Sequence, residues 1–142
     1  MSRKRNGAPS EVFLSHSSRN GDFTGRLAKV LLAHGVKSFF SRRSIRGAQQ
    51  WHDEIGAALK RCDWFCVILS PQSVLSRWVK HELVYALQAS RYKDRIIPVL
   101  YKKCDADALS WTLSAVEWID FRKDFDTGCR ELLQVWKMEY RG

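Results

Sequence analysis

Trp64-Phe-Cys-Val-Ile-Leu69 is the stretch whose reading decides the fold. It is apolar at every position and does not alternate, so it reads as a strand buried on both faces. Ser70-Pro71 closes it as a strand exit, with Pro at an allowed helix start. Working outward, Glu11-Val-Phe-Leu-Ser15 is a first short strand, followed by the polar loop His16–Gly21. Phe23, Leu27, Val30, Leu31 and His34 then recur at helical spacing, and Gly35 suits the left-handed residue that ends a helix. Val36–Phe40 is a second strand, and Ser41–Gln50 a basic loop containing Gly47. Trp51, Ile55, Ala58, Leu59 and Cys62 mark the next helix.

Beyond Leu69 a long helix is predicted over Ser73–Arg91, then a fourth strand over Arg95–Leu100, where Pro98 suggests an irregularity. Lys102–Ala115 is ambiguous, with room for a short helix. Glu117–Asp120 is a short fifth strand, and Phe125, Cys129, Leu132, Leu133, Trp136 and Tyr140 give the last helix. Strands alternating with helices imply an α/β fold with a parallel sheet and helices on both faces. The expected architecture is a flavodoxin-like three-layer sandwich, five-stranded, in the order 2-1-3-4-5. Ligands in such folds bind outside the carboxyl ends of the strands, at the switch point between strands one and three. That rule directs attention to Ser15–Gly21, Ser41–Gln50 and Ser70–Glu82.

The chain has 142 residues, 45% hydrophobic and 12% aromatic, which fits one folded domain and excludes a disordered chain. Residues 1–10 read as a disordered basic tail and 11–142 as the domain. The clean apolar run Phe65–Leu69 falls far short of the roughly 18–20 residues of a membrane span. No apolar segment follows the basic start, so no secretory signal is expected and a cytoplasmic location is. Cys62, Cys66, Cys104 and Cys129 form no CxxC pair and read as reduced thiols. His16, His34, His52 and His81 show no metal-binding spacing, so no metal site is expected. The net charge of +9 can signify nucleic acid, an acidic surface or a small anion. Neither GxGxxG nor a Walker lysine motif is present, which argues against a nucleotide kinase or an ordinary dinucleotide oxidoreductase.

The third helix carries the chemical signal, Ser76-Arg-Trp-Val-Lys-His-Glu82-Leu. Trp78 and Glu82 stand four apart and share a face. Leu75, Val79, Leu83 and Ala86 form an apolar stripe beside them, which would leave Glu82 at the edge of the buried face. A poorly solvated carboxylate there stabilises a developing cation better than a surface one. Spacing alone favours a solvated glutamate paired with Lys80 or Tyr85.

These segments together resemble a TIR (Toll/interleukin-1 receptor) domain of the bacterial or archaeal NAD+-cleaving type, over about residues 11–140. The resemblance is carried by Val12-Phe-Leu-Ser-His16, Phe39-Phe40, Ser44-Ile-Arg-Gly47 followed by Trp51-x-x-x-Ile55, Val67-Ile-Leu-Ser70-Pro71, Ser76-x-Trp78-x-x-x-Glu82-Leu83 and Ile97-Pro98-Val99. It implies an NAD+ glycohydrolase or cyclase that releases nicotinamide and leaves ADP-ribose or a cyclic variant. It further implies signalling or anti-phage defence and activation by self-assembly. NAD+ is then the substrate, and no resident cofactor is expected. Glu82 takes the required glutamate's place. The substrate-binding set is expected to be Ser15, Ser17, Ser18, Arg43, Gly47, Trp51, Ser76 and Trp78, with Arg42, Arg43 and Arg46 toward the pyrophosphate or a neighbouring subunit. Loop 41–50 is the expected self-association element, and a separate sensor or effector protein the expected partner. The chain departs from many members at His16 (Tyr), at Ser41 followed by Arg42-Arg43 (an acidic residue), and at Val79 (Cys). A non-catalytic TIR scaffold is the alternative, and a nucleoside deoxyribosyltransferase-like enzyme a third reading. Nucleic acid ranks last, and no membrane partner is expected.

Overall fold

A computed structural model of the chain describes residues 7–40 and 48–142, the side chains of 48–51 excepted. Five strands form one sheet: β1 (Glu11–Ser15), β2 (Lys37–Phe39), β3 (Trp64–Leu69), β4 (Ile96–Leu100) and β5 (Ile119–Asp120). Their order is β2-β1-β3-β4-β5, every pair parallel, as the sequence predicts. Among the described residues the α-helices are α1 (Gly21–Ala33), α2 (Ala48–Arg61), α3 (Arg77–Gln88) and α4 (Phe125–Val135).

Alternation along the strands sorts the core into two layers. Val12, Leu14, Cys66 and Ile68 pack with Leu27 and Leu31 of α1 and Leu132 and Leu133 of α4. Phe13, Phe65 and Val67 pack with Ile55, Ala58 and Leu59 of α2 and Val79, Leu83 and Ala86 of α3. Both faces of the sheet are thus covered, which is why β3 is apolar throughout.

Several boundaries differ from expectation. Just before β1, Pro9 is buried and the Ser10 N–H donates to the Asp63 carboxylate at 3.0 Å. The long third helix is three pieces, because Ser76 and Ala89 adopt extended backbone on either side of α3. Short 3-10 helices at Ser73–Leu75 and Ser90–Tyr92 flank it, and two more fill the ambiguous segment, at Ala106–Ala108 and Trp111–Ala115. Leu75 does not join the apolar stripe; it lies in the preceding 3-10 helix, 85% exposed.

Pro98 causes no irregularity. The register from Phe65↔Ile96 to Leu69↔Leu100 is unbroken. Tyr101 N–H donates to Leu69 and Phe121 N–H to the Leu100 carbonyl, so odd positions of β4 face β3 and even ones face β5. Pro98 therefore turns its missing donor toward β5, which begins only opposite Val99.

Candidate functional site at the carboxyl ends of the strands

Ser15 is the last residue of β1 and is fully buried. It pairs in register with Val67, on the α2–α3 side of the sheet. On α3 the side chain of Ser76 accepts the Val79 N–H at 3.2 Å, capping the helix. That cap fixes where α3 starts, and with Val79, Leu83 and Ala86 buried against the sheet, Glu82 points along the same inward side. Glu82 is 7% exposed, and its Oε1 accepts the Ser15 hydroxyl at 2.6 Å. The solvated pairing with Lys80 or Tyr85 is not what the fold selects.

Burial pushes the Glu82 carboxyl up to about 7, against the opposing pull of the Ser15 hydrogen bond. Near neutral pH the group can therefore be held as acid or as carboxylate. Trp78, one turn earlier, is 39% exposed, and its ring meets His52 of α2 at 6.0 Å and His81 at 5.8 Å, both edge-on. It thus joins the starts of α2 and α3 at the surface and is not a core tryptophan.

The remaining expected site residues divide. Ser17 is buried, and its hydroxyl accepts the Arg19 N–H at 3.1 Å, capping the 3-10 helix Ser18–Asn20. Ser18 is exposed in that helix. Ser76 serves as the cap of α3. Arg43 and Gly47, with Arg42 and Arg46, lie outside the described residues. Trp51 belongs to α2, but its side chain is likewise outside them.

Beside this pair lies a polar cluster that the sequence does not announce. Asn20 Oδ1 accepts the Ser70 hydroxyl at 2.6 Å, and both residues are buried. Ser70 Oγ accepts the Ser73 N–H at 3.0 Å, while Ser73 Oγ accepts the Ser70 N–H and donates to the Ser70 carbonyl. The loops after β1 and β3 are thereby tied together across the switch point. The only sequence signal was the polar strand exit at Ser70, since the partners stand fifty residues apart.

Among the described residues, no group of three or more His, Cys, Asp and Glu could hold a metal ion. A cavity of about 670 Å³ lies at the opposite end of the sheet, lined by Trp64, Ile96, Leu87, Val116 and Val135. It opens at the amino ends of β3 and β4, away from Ser15 and Glu82.

The profile of the TIR domain family matches residues 12–133. The chain therefore belongs to the TIR domain family, on a flavodoxin-like fold. Among solved structures it is similar to the TIR domain of the Toll-related receptor TRR-2 from Hydra magnipapillata, at 20% identity and a TM-score of 0.71, covering 89% of this chain and 97% of that one. It is also similar to the TIR domains of the activated Roq1 resistosome that directly recognises the pathogen effector XopQ, at 17% identity and TM-score 0.70, covering 88% and 98%. A prokaryotic SEFIR domain follows at 14% identity and TM-score 0.60, covering 92% and 94%. No curated protein sequence matches the chain. Among the described residues, no helix is long and apolar enough to cross a membrane.

Proposed function

We propose that the chain cleaves NAD+ at the nicotinamide–ribose bond, with Glu82 as the catalytic residue. The observation that carries this reading is a buried carboxyl, hydrogen-bonded to Ser15, at the switch point of a TIR fold. Nicotinamide in NAD+ is already cationic, so it leaves as a neutral ring without protonation by a general acid. As the C1′–N bond breaks, the electron pair departs with nicotinamide and positive charge develops on the ribose, as in other glycosyl transfers. An ionised Glu82 stabilises that charge in a site of low dielectric. Water then attacks C1′ and releases a proton, giving ADP-ribose. Attack by adenine or a ribose hydroxyl gives a cyclic product instead.

The same reading makes NAD+ the substrate rather than a cofactor. It places activity in an assembled form, built through loop 41–50 and triggered by a separate sensor, in signalling or defence against phage in the cytoplasm. The test is incubation of concentrated protein with NAD+, with products identified by chromatography and mass. Nicotinamide release by the wild type and none by Glu82→Gln is the expected result. No release by either protein under crowding would replace the enzyme with a scaffold. Cleavage of deoxynucleosides but not of NAD+ would indicate a deoxyribosyltransferase.

A further inference from the structure

We propose that residues 139–141 form a strap held on the end of α1 by neutral His34, and that protonation of His34 releases it. This device lies away from the Ser15–Glu82 pair and does not depend on the reading of NAD+ as substrate.

The end of α1 sets the geometry. His34 closes the helix, and Gly35 follows in the left-handed region at φ 82. The Val36 N–H returns to the Leu31 carbonyl at 2.8 Å. The neighbouring Val30 carbonyl meets the His34 ring, with Nδ1 at 2.8 Å. A carbonyl only accepts, so Nδ1 carries a proton. At the other end of the ring, Nε2 lies 2.9 Å from the Arg141 backbone nitrogen. A backbone N–H only donates, so Nε2 carries none. The two contacts together require a neutral imidazole with its proton on Nδ1. A histidinium has N–H on both nitrogens. It keeps the bond to Val30 and turns its Nε2 proton against the Arg141 N–H.

The strap has few other attachments. Lys137 at φ 58 and the Met138 N–H on the Leu133 carbonyl form the turn that closes α4. Beyond it, among the described residues, positions 139–142 make no backbone–backbone hydrogen bond. The Arg141 N–H on His34 is therefore the main-chain anchor there. Tyr140 adds side-chain contacts: its ring stacks on His34 at 5.5 Å, with 23° between the planes, and its hydroxyl donates to Asp126 at 2.8 Å.

Charge decides where a histidinium is tolerated. The carboxyl end of α1 is its negative dipole end, so a charged ring can stay with the helix. From α4, the Arg130 guanidinium already stands over the Tyr140 ring at 5.5 Å, and the Asp126 carboxylate is engaged by the Tyr140 hydroxyl. That bond raises the Tyr140 pKa, so this phenol stays neutral when His34 titrates. The strap carries Glu139 and Arg141, and the nearest charged residue along the chain is Lys37 at the start of β2. Among the described residues, His34 is in no ion pair with a carboxylate. The strap thus offers the cation no acceptor in place of the lost bond. Release also lifts Tyr140 from the core of the α1–α4 layer, so this end of the domain presents a different surface on acidification.

NMR relaxation of the full chain tests this. Backbone order parameters at 139–141 should be about 0.8 near pH 8 and below about 0.6 near pH 5. The change should share its midpoint with the His34 ring nitrogens, read from their own shifts, because Glu82 also titrates in this range. At pH 8 those shifts should show the proton on Nδ1. Leu132 and Leu133 of α4 should stay rigid throughout, which separates release from general unfolding. His34→Ala should leave the strap as mobile at pH 8 as the wild-type strap is at pH 5, with no change between. The wild-type series decides the matter alone if that variant does not fold. A strap that stays rigid while the His34 ring charges would overturn the proposal, as would a ring still neutral at pH 5, a proton on Nε2 at pH 8, or a rigid strap in folded His34→Ala.

Discussion

Glu82 is where the local physics and the proposed chemistry meet. Its pKa lies near 7, raised from an ordinary 4.5 by burial. A carboxyl raised on folding contributes its full stability below the unfolded value and loses it as pH climbs through the folded value. The protein should thus lose roughly 3 kcal/mol between about pH 4.5 and 7 from this group. Glu82→Gln cannot ionise, and urea unfolding should show it more stable than wild type above neutrality and similar near pH 4.5. Equal pH dependence in the two proteins would show that the carboxyl is solvated. Ser15→Ala removes the one contribution that lowers the pKa, so any pH limb of activity that Glu82 controls should move to higher pH. At this scale the spacing of Trp78 and Glu82 was legible, because helical geometry puts them one turn apart. Ser15 as partner was not, since strand pairing and helix docking set that contact. The Asn20–Ser70 bond was also invisible, because it joins residues fifty apart in sequence.

Among the elements, β1 and β3 were readable to the residue, β3 because a strand covered on both faces is apolar throughout and β1 from its apolar centre Val12–Leu14. β5 shrinks to Ile119–Asp120, and α3 is cut short by the Ser76 cap, which hydrophobic spacing alone does not register. α4 likewise stops at Val135, although its apolar pattern runs on to Tyr140. Lys137 turns left-handed at φ 58, Met138 N–H returns to the Leu133 carbonyl, and Tyr140 stacks on His34 at 5.5 Å. The apolar residues of that end are used, but by a folded-back tail. α4 also contains a close approach at Gly128, where a Cβ would sit 2.4 Å from the Phe121 ring. That ring is held between Phe23 and Phe125, so it cannot simply move aside. Gly128→Ala should therefore destabilise by about 1–3 kcal/mol through overpacking, despite its gain in helix propensity. Chemical denaturation measures this, and a stabilised variant would show that the ring yields.

For the whole molecule, alternation of strands and helices was enough to predict sheet order and the edge where the loops converge. Composition was less informative: a charge of +9 suits many anions, and the arginines of loop 41–47 lie outside the described residues. If activity belongs to an assembled form, nicotinamide release per molecule should rise with protein concentration. Full activity in dilute protein shown to be monomeric by light scattering would remove that requirement. The proposed role of the buried Glu82 carboxylate is cleavage of NAD+. Its most direct measurement is the rate of nicotinamide release against pH, for wild type and Glu82→Gln side by side. The expected result is a wild-type rate that rises through about pH 7 as Glu82 ionises, and no release by the variant. Release by Glu82→Gln at the wild-type rate would contradict it.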